Sequence, residues 1–456
     1  MKRCLSGWLL LVLAAAAQSP PPETARALQA ISANSLRGNL SFIASPLLEG
    51  RDTPSRGLEI AATFIASQFR AAGLEPAGDD GYFQNARLLS IASPGAGFEM
   101  RLESAGHPVT VAAAGITAIS QRPLEITNAP IYKIADKTDL RTEAIKGRVV
   151  LAARREIAQA AAAMQPAALL EIAEGPGVPR LIDPDEAGIP SLTVRDPDAV
   201  RLLEEARIGE TGITVSIKLP AATATPVTLH NVAGWLRGSD ALLREEYVLL
   251  TAHYDHIGRN SAGEVYPGAN DDGSGTVSVI EIARVLAAMP VHPKRSIVFM
   301  TFFGEEEGGL GSRYYTRHPL FPMAKTVADL NLEQLGRTDS NAGREISNAS
   351  LTGFRYSTVA QTLQEAGRLT GVKVYETPND DDYFKRSDNL TFAEHGIPAH
   401  TLVVAFEFPD YHGVGDIWEK IDYGNMAKVD RMIALGVVLL ADATRRPQWN
   451  GERPKL

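Results

Sequence analysis

The most constraining stretch of the chain runs from Glu246 to Gly258: Glu-Tyr-Val-Leu-Leu-Thr-Ala-His-Tyr-Asp-His-Ile-Gly. Tyr247 to Ala252 is an apolar run of strand length with polar ends, the pattern of a strand in a sheet covered on both faces. It ends in His253, and Asp255 follows two residues later. In open α/β sheets ligands gather beyond the carboxyl ends of strands. His253 therefore stands where chemistry is expected. Asp255 is placed to accept the ring N–H and to fix which imidazole nitrogen faces outward.

Before this stretch, Leu36 to Gln84 reads as helix, loop, helix. A helical stripe of apolar residues covers Gly57 to Ala72, and Gly73 and Pro76 stop it. The loop Glu49-Gly50-Arg51-Asp52-Thr53 reads as a surface turn rather than a binding loop. From about Phe98 to Ile217 the texture changes to short strand-like pieces such as Val109–Val111, Arg148–Ala152 and Ile213–Ile217. That segment predicts an α+β insert, and Ala221 to Pro226 a linker behind it.

Downstream, predicted strands (Asn231–Leu236, Tyr247–Ala252, Ser296–Phe303, Val327–Leu332, Ala399–Phe406) alternate with predicted helices (Thr276–Met289, Ser357–Gly367, Ala427–Ala443). Alternation of this kind indicates a three-layer α/β domain.

Met1-Lys2-Arg3, the apolar Leu5 to Ala17 and the small residues Ala15-Ala16-Ala17 read as a secretory signal peptide over 1–17. Ser19 to Pro22 reads as a short proline-rich linker. The expected location is secreted or periplasmic, with no stable membrane anchor after cleavage. Cys4 is the one cysteine, so any metal must be held by His, Asp and Glu. The formal charge is −9, or −11 without Lys2 and Arg3. That balance argues against nucleic-acid binding, which needs a basic face.

Five candidate ligands fall at predicted strand ends or in the loops after them: His253, Asp271, Glu306, Glu333 and His412. Oxygen and imidazole donors suit zinc. Two metals about 3.5–4 Å apart need one bridging carboxylate, and they lower a water's pKa to about 7. A free carboxylate beside them can move that water's proton to a leaving amine. Adjacent Glu305 and Glu306 supply a base and a ligand from one tight turn.

These segments resemble the two-zinc exopeptidase family of bacterial leucyl aminopeptidase, aminopeptidase Y and glutamate carboxypeptidase. The matching motifs are His253-Tyr-Asp255-His, Gly268-Ala-Asn-Asp271-Asp272-Gly-Ser-Gly, Gly304-Glu305-Glu306 with Gly311-Ser312, Asn331-Leu-Glu333, Ser387-Asp388, Gly396-Ile-Pro398 and Tyr411-His412. The resemblance implies a three-layer α/β/α zinc-exopeptidase domain with a central mixed sheet, formed by 18–97 and 226–456. It also implies an inserted α+β protease-associated domain over 98–225. Two zinc ions per chain are implied, with Asp271 bridging them and joined to Asp272 by a cis peptide. His253 and Glu333 then complete one site, and Glu306 and His412 the other. Glu305 is the general base, Asp255 orients His253, and Tyr411 donates to the tetrahedral intermediate.

Two departures stand out: Glu333 replaces the family's usual Asp, and Asn389 stands where a His is frequent. His256 is expected in the outer shell at best, and His230, His292, His318, His395 and His400 are expected to be structural.

The expected activity is release of residues from the N-terminus of a peptide or protein substrate, with carboxypeptidase or dipeptidase action as the alternative. The loop before Ser387 offers both polarities, Asp380-Asp381-Asp382 for an ammonium and Lys385-Arg386 for a carboxylate. The acidic run is read as a solvated face and Arg386 as its partner. The carboxylate-rich metal site and the resemblance in domain layout to secreted aminopeptidases favour the N-terminus. A non-catalytic binding relative and a one-zinc glutaminyl cyclase remain as rivals. A serine hydrolase lacks its Gly-x-Ser-x-Gly elbow. Oligomeric state is left open.

Overall fold

Tyr247–His253 forms one strand in which every residue is buried, as its unbroken apolar run requires. The computed structural model describes residues 20–451 apart from 92–93, 95, 121, 175–178, 186–187, 221–223, 342 and 377–379. The signal-peptide segment lies outside the described residues. The chain divides into two units, Met1–Asn85 with His230–Leu456, and Ala86–Leu229.

The first unit is built on strands β1 (Ala224–Leu236, of which His230–Leu236 falls in this unit), β2 (Tyr247–His253), β3 (Ser296–Phe302), β4 (Thr326–Glu333), β5 (Asn348–Leu351), β6 (Lys373–Tyr375) and β7 (Ala399–Val403). Their order is β6-β5-β7-β4-β2-β3-β1. β2 runs parallel to both β3 and β4, and β4 parallel to β7. β1 and β5 pair antiparallel to their neighbours β3 and β7, so the sheet is mixed.

Both faces are covered. On one, Tyr247, Leu249, Val298, Met300 and Phe302 pack with Tyr315 and Phe392, which belong to helices Leu310–Arg317 and Asn389–Glu394. The alternate residues of β2 point to the other face, where helices Gly275–Ala287 and Tyr423–Asp442 pack. Each fully buried Leu or Phe contributes about 1.5–3 kcal/mol. The expected three-layer domain is therefore present.

Several boundaries differ from expectation, each for a local reason. Pro22 starts a helix, Pro22–Gln29, instead of extending a linker, since proline is well tolerated at a first helical position. Gln84 lies in a strand, Phe83–Ile91, beyond the predicted second helix. β7 stops at Val403, because the N–H groups of Val404 and Ala405 donate to the Gln334 carbonyl. The helix predicted over 357–367 is Val359–Thr370, closed by left-handed Gly371. The last helix begins at Tyr423, earlier than predicted, because Asp422 caps it by accepting from Asn425 N.

The second unit, Ala86–Leu229, carries an eight-stranded sheet. Its core includes Leu102, Ile131, Leu151, Leu170, Leu192 and Val215. Helices Arg155–Ala162 and Pro197–Glu204 accompany it. Among the described residues no helix is long and apolar enough to cross a membrane.

Candidate metal centre

The carboxyl end of β2 delivers His253, whose carbonyl is pinned by Thr276 Oγ1 at 2.7 Å. Asp255, fully buried, lies with Oδ1 3.5 Å from His253 Nδ1. It also accepts from the N–H of Glu305 at 3.1 Å and of Glu306 at 3.3 Å. Asp255 thus ties the end of β2 to the turn after β3 as well as facing the imidazole.

Asp271 and Asp272 are joined by a cis peptide. Their loop is held from below by Asp416, which accepts from Asn270 N at 2.9 Å and from Asp271 N at 3.1 Å. Gly268 opens the loop with φ +57°, and a Cβ there would lie 2.5 Å from both the Asp271 carbonyl oxygen and the His256 ring. No other residue fits that approach.

The two oxygens of Asp271 face different imidazoles. Oδ1 is 3.5 Å from His253 Nε2, and Oδ2 is 3.1 Å from His412 Nε2. Glu333 Oε1 lies 3.9 Å and Glu305 Oε2 4.0 Å from His253 Nε2. Glu306 Oε2 lies 3.4 Å from His412 Nε2. All five expected ligands and Glu305 therefore converge. His256 sits in the loop after β2, buried, with Nδ1 2.9 Å from Glu306 Oε1. Ligand atoms of His256, Asp271 and Glu306 lie within 4.8 Å of one another.

The electrostatics match a site for cations. Burial pushes the Asp271 carboxyl up, but His253 and His412 outweigh it and hold it below the usual carboxylate range. Burial and Asp271 push Glu306 up, and His256 and His412 bring it down to about 2. Glu333 is pushed up to about 7, mainly by burial. Burial, joined by Glu333 and Glu306, raises Glu305 well above the carboxylate range. Asp271 and Glu306 lift His412 to about 10. Buried carboxylates against imidazoles, without a thiol, form a donor set that fits a divalent cation of the zinc type.

Tyr411 stacks on His412, with ring centroids 4.1 Å apart and planes at 23°. Burial, then Asp271 and Glu306, pushes its phenol above the ordinary tyrosine range, so it stays protonated. Asn389 does not face the centre. It accepts from Thr401 Oγ1 at 2.8 Å and donates to the Phe384 carbonyl at 3.0 Å.

Two supports were not legible in the sequence, and a third, Ser387, stood in a matched motif that did not show its contact. Ser387 Oγ donates to Glu333 Oε1, Asp416 holds the cis-peptide loop, and Arg51 is fully buried. The loop Glu49–Thr53 is accordingly no surface turn. Glu49, Gly50 and Arg51 all take positive φ, which turns the guanidinium inward. It donates to the carbonyls of Tyr254, Ile43 and Pro267 at 2.7 Å and of Gly268 at 2.9 Å. Burial lowers its pKa to about 10, against the pull of Asp255 and Asp416. Only the glycine and the acidic neighbour Asp52 hinted at an unusual loop.

A covered mixed sheet with carboxylates and imidazoles gathered at its carboxyl edge defines a metal-dependent hydrolase of α/β type. Residues 231–437 match the model of peptidase family M28. Aminopeptidase YwaD of Bacillus subtilis (strain 168) is 25% identical over 366 residues, covering 77% of this chain and 74% of the relative. The fold matches the aminopeptidase from Aneurinibacillus sp. strain AM-1 with TM-score 0.55 and 19% identity, over 92% of this chain and 96% of that one. It also matches BSAP, a zinc aminopeptidase from Bacillus subtilis, with TM-score 0.51 and 22% identity, over 89% and 94%.

Proposed function

We propose that this chain is an exported zinc aminopeptidase, binding two zinc ions and cleaving the N-terminal peptide bond of peptides. The observation that carries the reading is Asp271, whose two carboxylate oxygens face His253 and His412 separately at 3.5 and 3.1 Å. That is the disposition of a bridging ligand. His253 with Glu333, and His412 with Glu306, would complete the two sites. When bound, the ions would polarise the scissile carbonyl and make a water acidic near neutral pH.

Around them the chain's own groups act. Asp255 fixes the orientation of His253. Glu305 takes a proton from the attacking water and returns it to the leaving amine, for which its raised pKa suits it. Tyr411, held on His412, keeps its proton and donates a hydrogen bond to the oxyanion. The carboxylate-rich centre favours a substrate ammonium nearby. The name of the Bacillus subtilis relative supports the same polarity, and the signal-peptide pattern of residues 1–17 supports export. The expected insert over 98–225, which contributes none of these groups and falls within the unit Ala86–Leu229, is read as a protease-associated domain.

The test takes one peptide in N-acetylated and C-amidated forms, with and without chelator. Cleavage of the amidated form alone, abolished by chelator and restored by zinc, is expected. Cleavage of the acetylated form alone would reverse the polarity to a carboxypeptidase.

A further inference from the structure

We infer that Arg386 is a specificity-determining residue that binds a carboxylate on the substrate residue following the scissile bond. This rests on the exopeptidase reading above and names what that site prefers: short peptides ending there, or peptides with Asp or Glu there.

Its backbone adjoins the metal centre. Ser387, the next residue, reaches Glu333 with its hydroxyl, and neighbouring Cα atoms are about 3.8 Å apart. The side chain lies over the Tyr383 ring, with Cζ 5.4 Å from the centroid. Tyr383 in turn stacks on Phe406, with centroids 4.2 Å apart and planes at 18°. Phe406 follows β7, whose Val403 pairs with Glu333 in the sheet. The guanidinium thus rests on an aromatic shelf beside the carboxyl edge that holds the ligands. Its charge also acts on Tyr411, opposing Asp271 and Glu306 there.

Arg386 is exposed, and among the described residues no carboxylate pairs with it. The sequence suggested that it neutralises the acidic run 380–382. Instead, Asp381 accepts from Tyr356 Oη, and Glu407 accepts from Tyr383 Oη at 3.1 Å. Asp380's side chain lies outside the described set.

A cation without a carboxylate partner among the described residues, lying over an aromatic ring, is held there without being neutralised. The groups that face one another in the centre are carboxylates and imidazoles, while the Arg51 guanidinium is buried and already bonded to four carbonyls. A substrate carboxylate would be repelled by that set unless a guanidinium met it, and the planar fork meets a carboxylate at two points.

The test compares Leu-Ala, Leu-Ala-amide and Leu-Glu-amide on zinc-loaded wild type and Arg386→Gln. A charge-assisted contact is worth about 10- to 100-fold. If the α-carboxylate is the ligand, wild type should favour Leu-Ala over its amide by that factor in kcat/KM, mainly through KM. If a side-chain carboxylate is the ligand, Leu-Glu-amide should be favoured over Leu-Ala-amide. Either preference should vanish in Arg386→Gln and partly return in Arg386→Lys. Equal rates for all three peptides in wild type, or a preference unchanged in Arg386→Gln, would overturn the inference.

Calorimetric binding of the same peptides to the turnover-suppressed Glu305→Gln protein separates the two levels. Carboxylate-selective binding lost with Arg386, without N-terminal cleavage by the wild type, would sink the aminopeptidase reading and keep the role of Arg386. N-terminal cleavage with no carboxylate selectivity would do the reverse.

Discussion

Arg51 Nη2 donates to the carbonyl of Gly268 at 2.9 Å, across 217 positions of sequence. That bond, with those to Tyr254 and Pro267, clamps the loop after β2 and the loop before Asp271 to one buried cation. The positive charge also faces Asp255, Asp416, Asp272 and Asp271. Arg51→Lys keeps the charge and loses the fork, so at least one of the four charge-assisted hydrogen bonds goes and the others lose their geometry. The expected loss of unfolding free energy is about 2–4 kcal/mol, read by urea denaturation. A variant as stable as wild type would show that the four-carbonyl geometry does not matter.

Metal stoichiometry tests the placement of Asp271. Asp271→Ala removes the carboxylate that faces both imidazoles and should lose both zinc ions. Glu333→Ala removes a group that faces His253 alone among them and should lose mainly one. Metal analysis of the purified proteins decides, and equal losses in the two variants would rule out a bridge.

Glu305 faces the centre at 4.0 Å from His253 Nε2, farther than Asp271 from the same nitrogen. Glu305→Gln should therefore keep the zinc content of wild type. Turnover should fall about 10²- to 10⁴-fold, the contribution of a positioned base. Near wild-type turnover would remove Glu305 from the reaction.

The parts of this centre that were legible in the sequence are those written in local pattern. An apolar run with polar ends specifies β2 and sets His253 at its carboxyl edge. The paired acids Asp271-Asp272 and Glu305-Glu306 follow glycines that permit tight loops. The supports were not legible, because they are long-range contacts between ordinary residues. Arg51 meets Tyr254 over 203 positions and Asp416 meets Asn270 over 146. Nothing in the spacing marks either pair. The early end of β7 was hidden for the same reason: its competitor is the carbonyl of Gln334 on another segment. His256 was underrated because its role depends on a loop path that brings it to Glu306.

A pH dependence should arise away from the metal centre, at Asp430 in the final helix. This carboxyl is fully buried. Burial, with Glu281 adding to it against Ser278 and Arg431, pushes it from 3.8 up to about 8. The sign follows from proton counts. Between about pH 4 and pH 8 the folded protein keeps a proton that the unfolded chain releases. Stability is therefore lost as pH rises through that window, by about 1.4 kcal/mol per unit at most, and the loss is complete above it. Asp430→Asn replaces the carboxyl with a neutral group of similar shape. Its Tm relative to wild type should be unchanged near pH 4, rise steadily above it, and level off near pH 8. Thermal unfolding of both proteins across that range checks this. A Tm difference that stays constant with pH would mean that Asp430 titrates alike in the folded and unfolded chains.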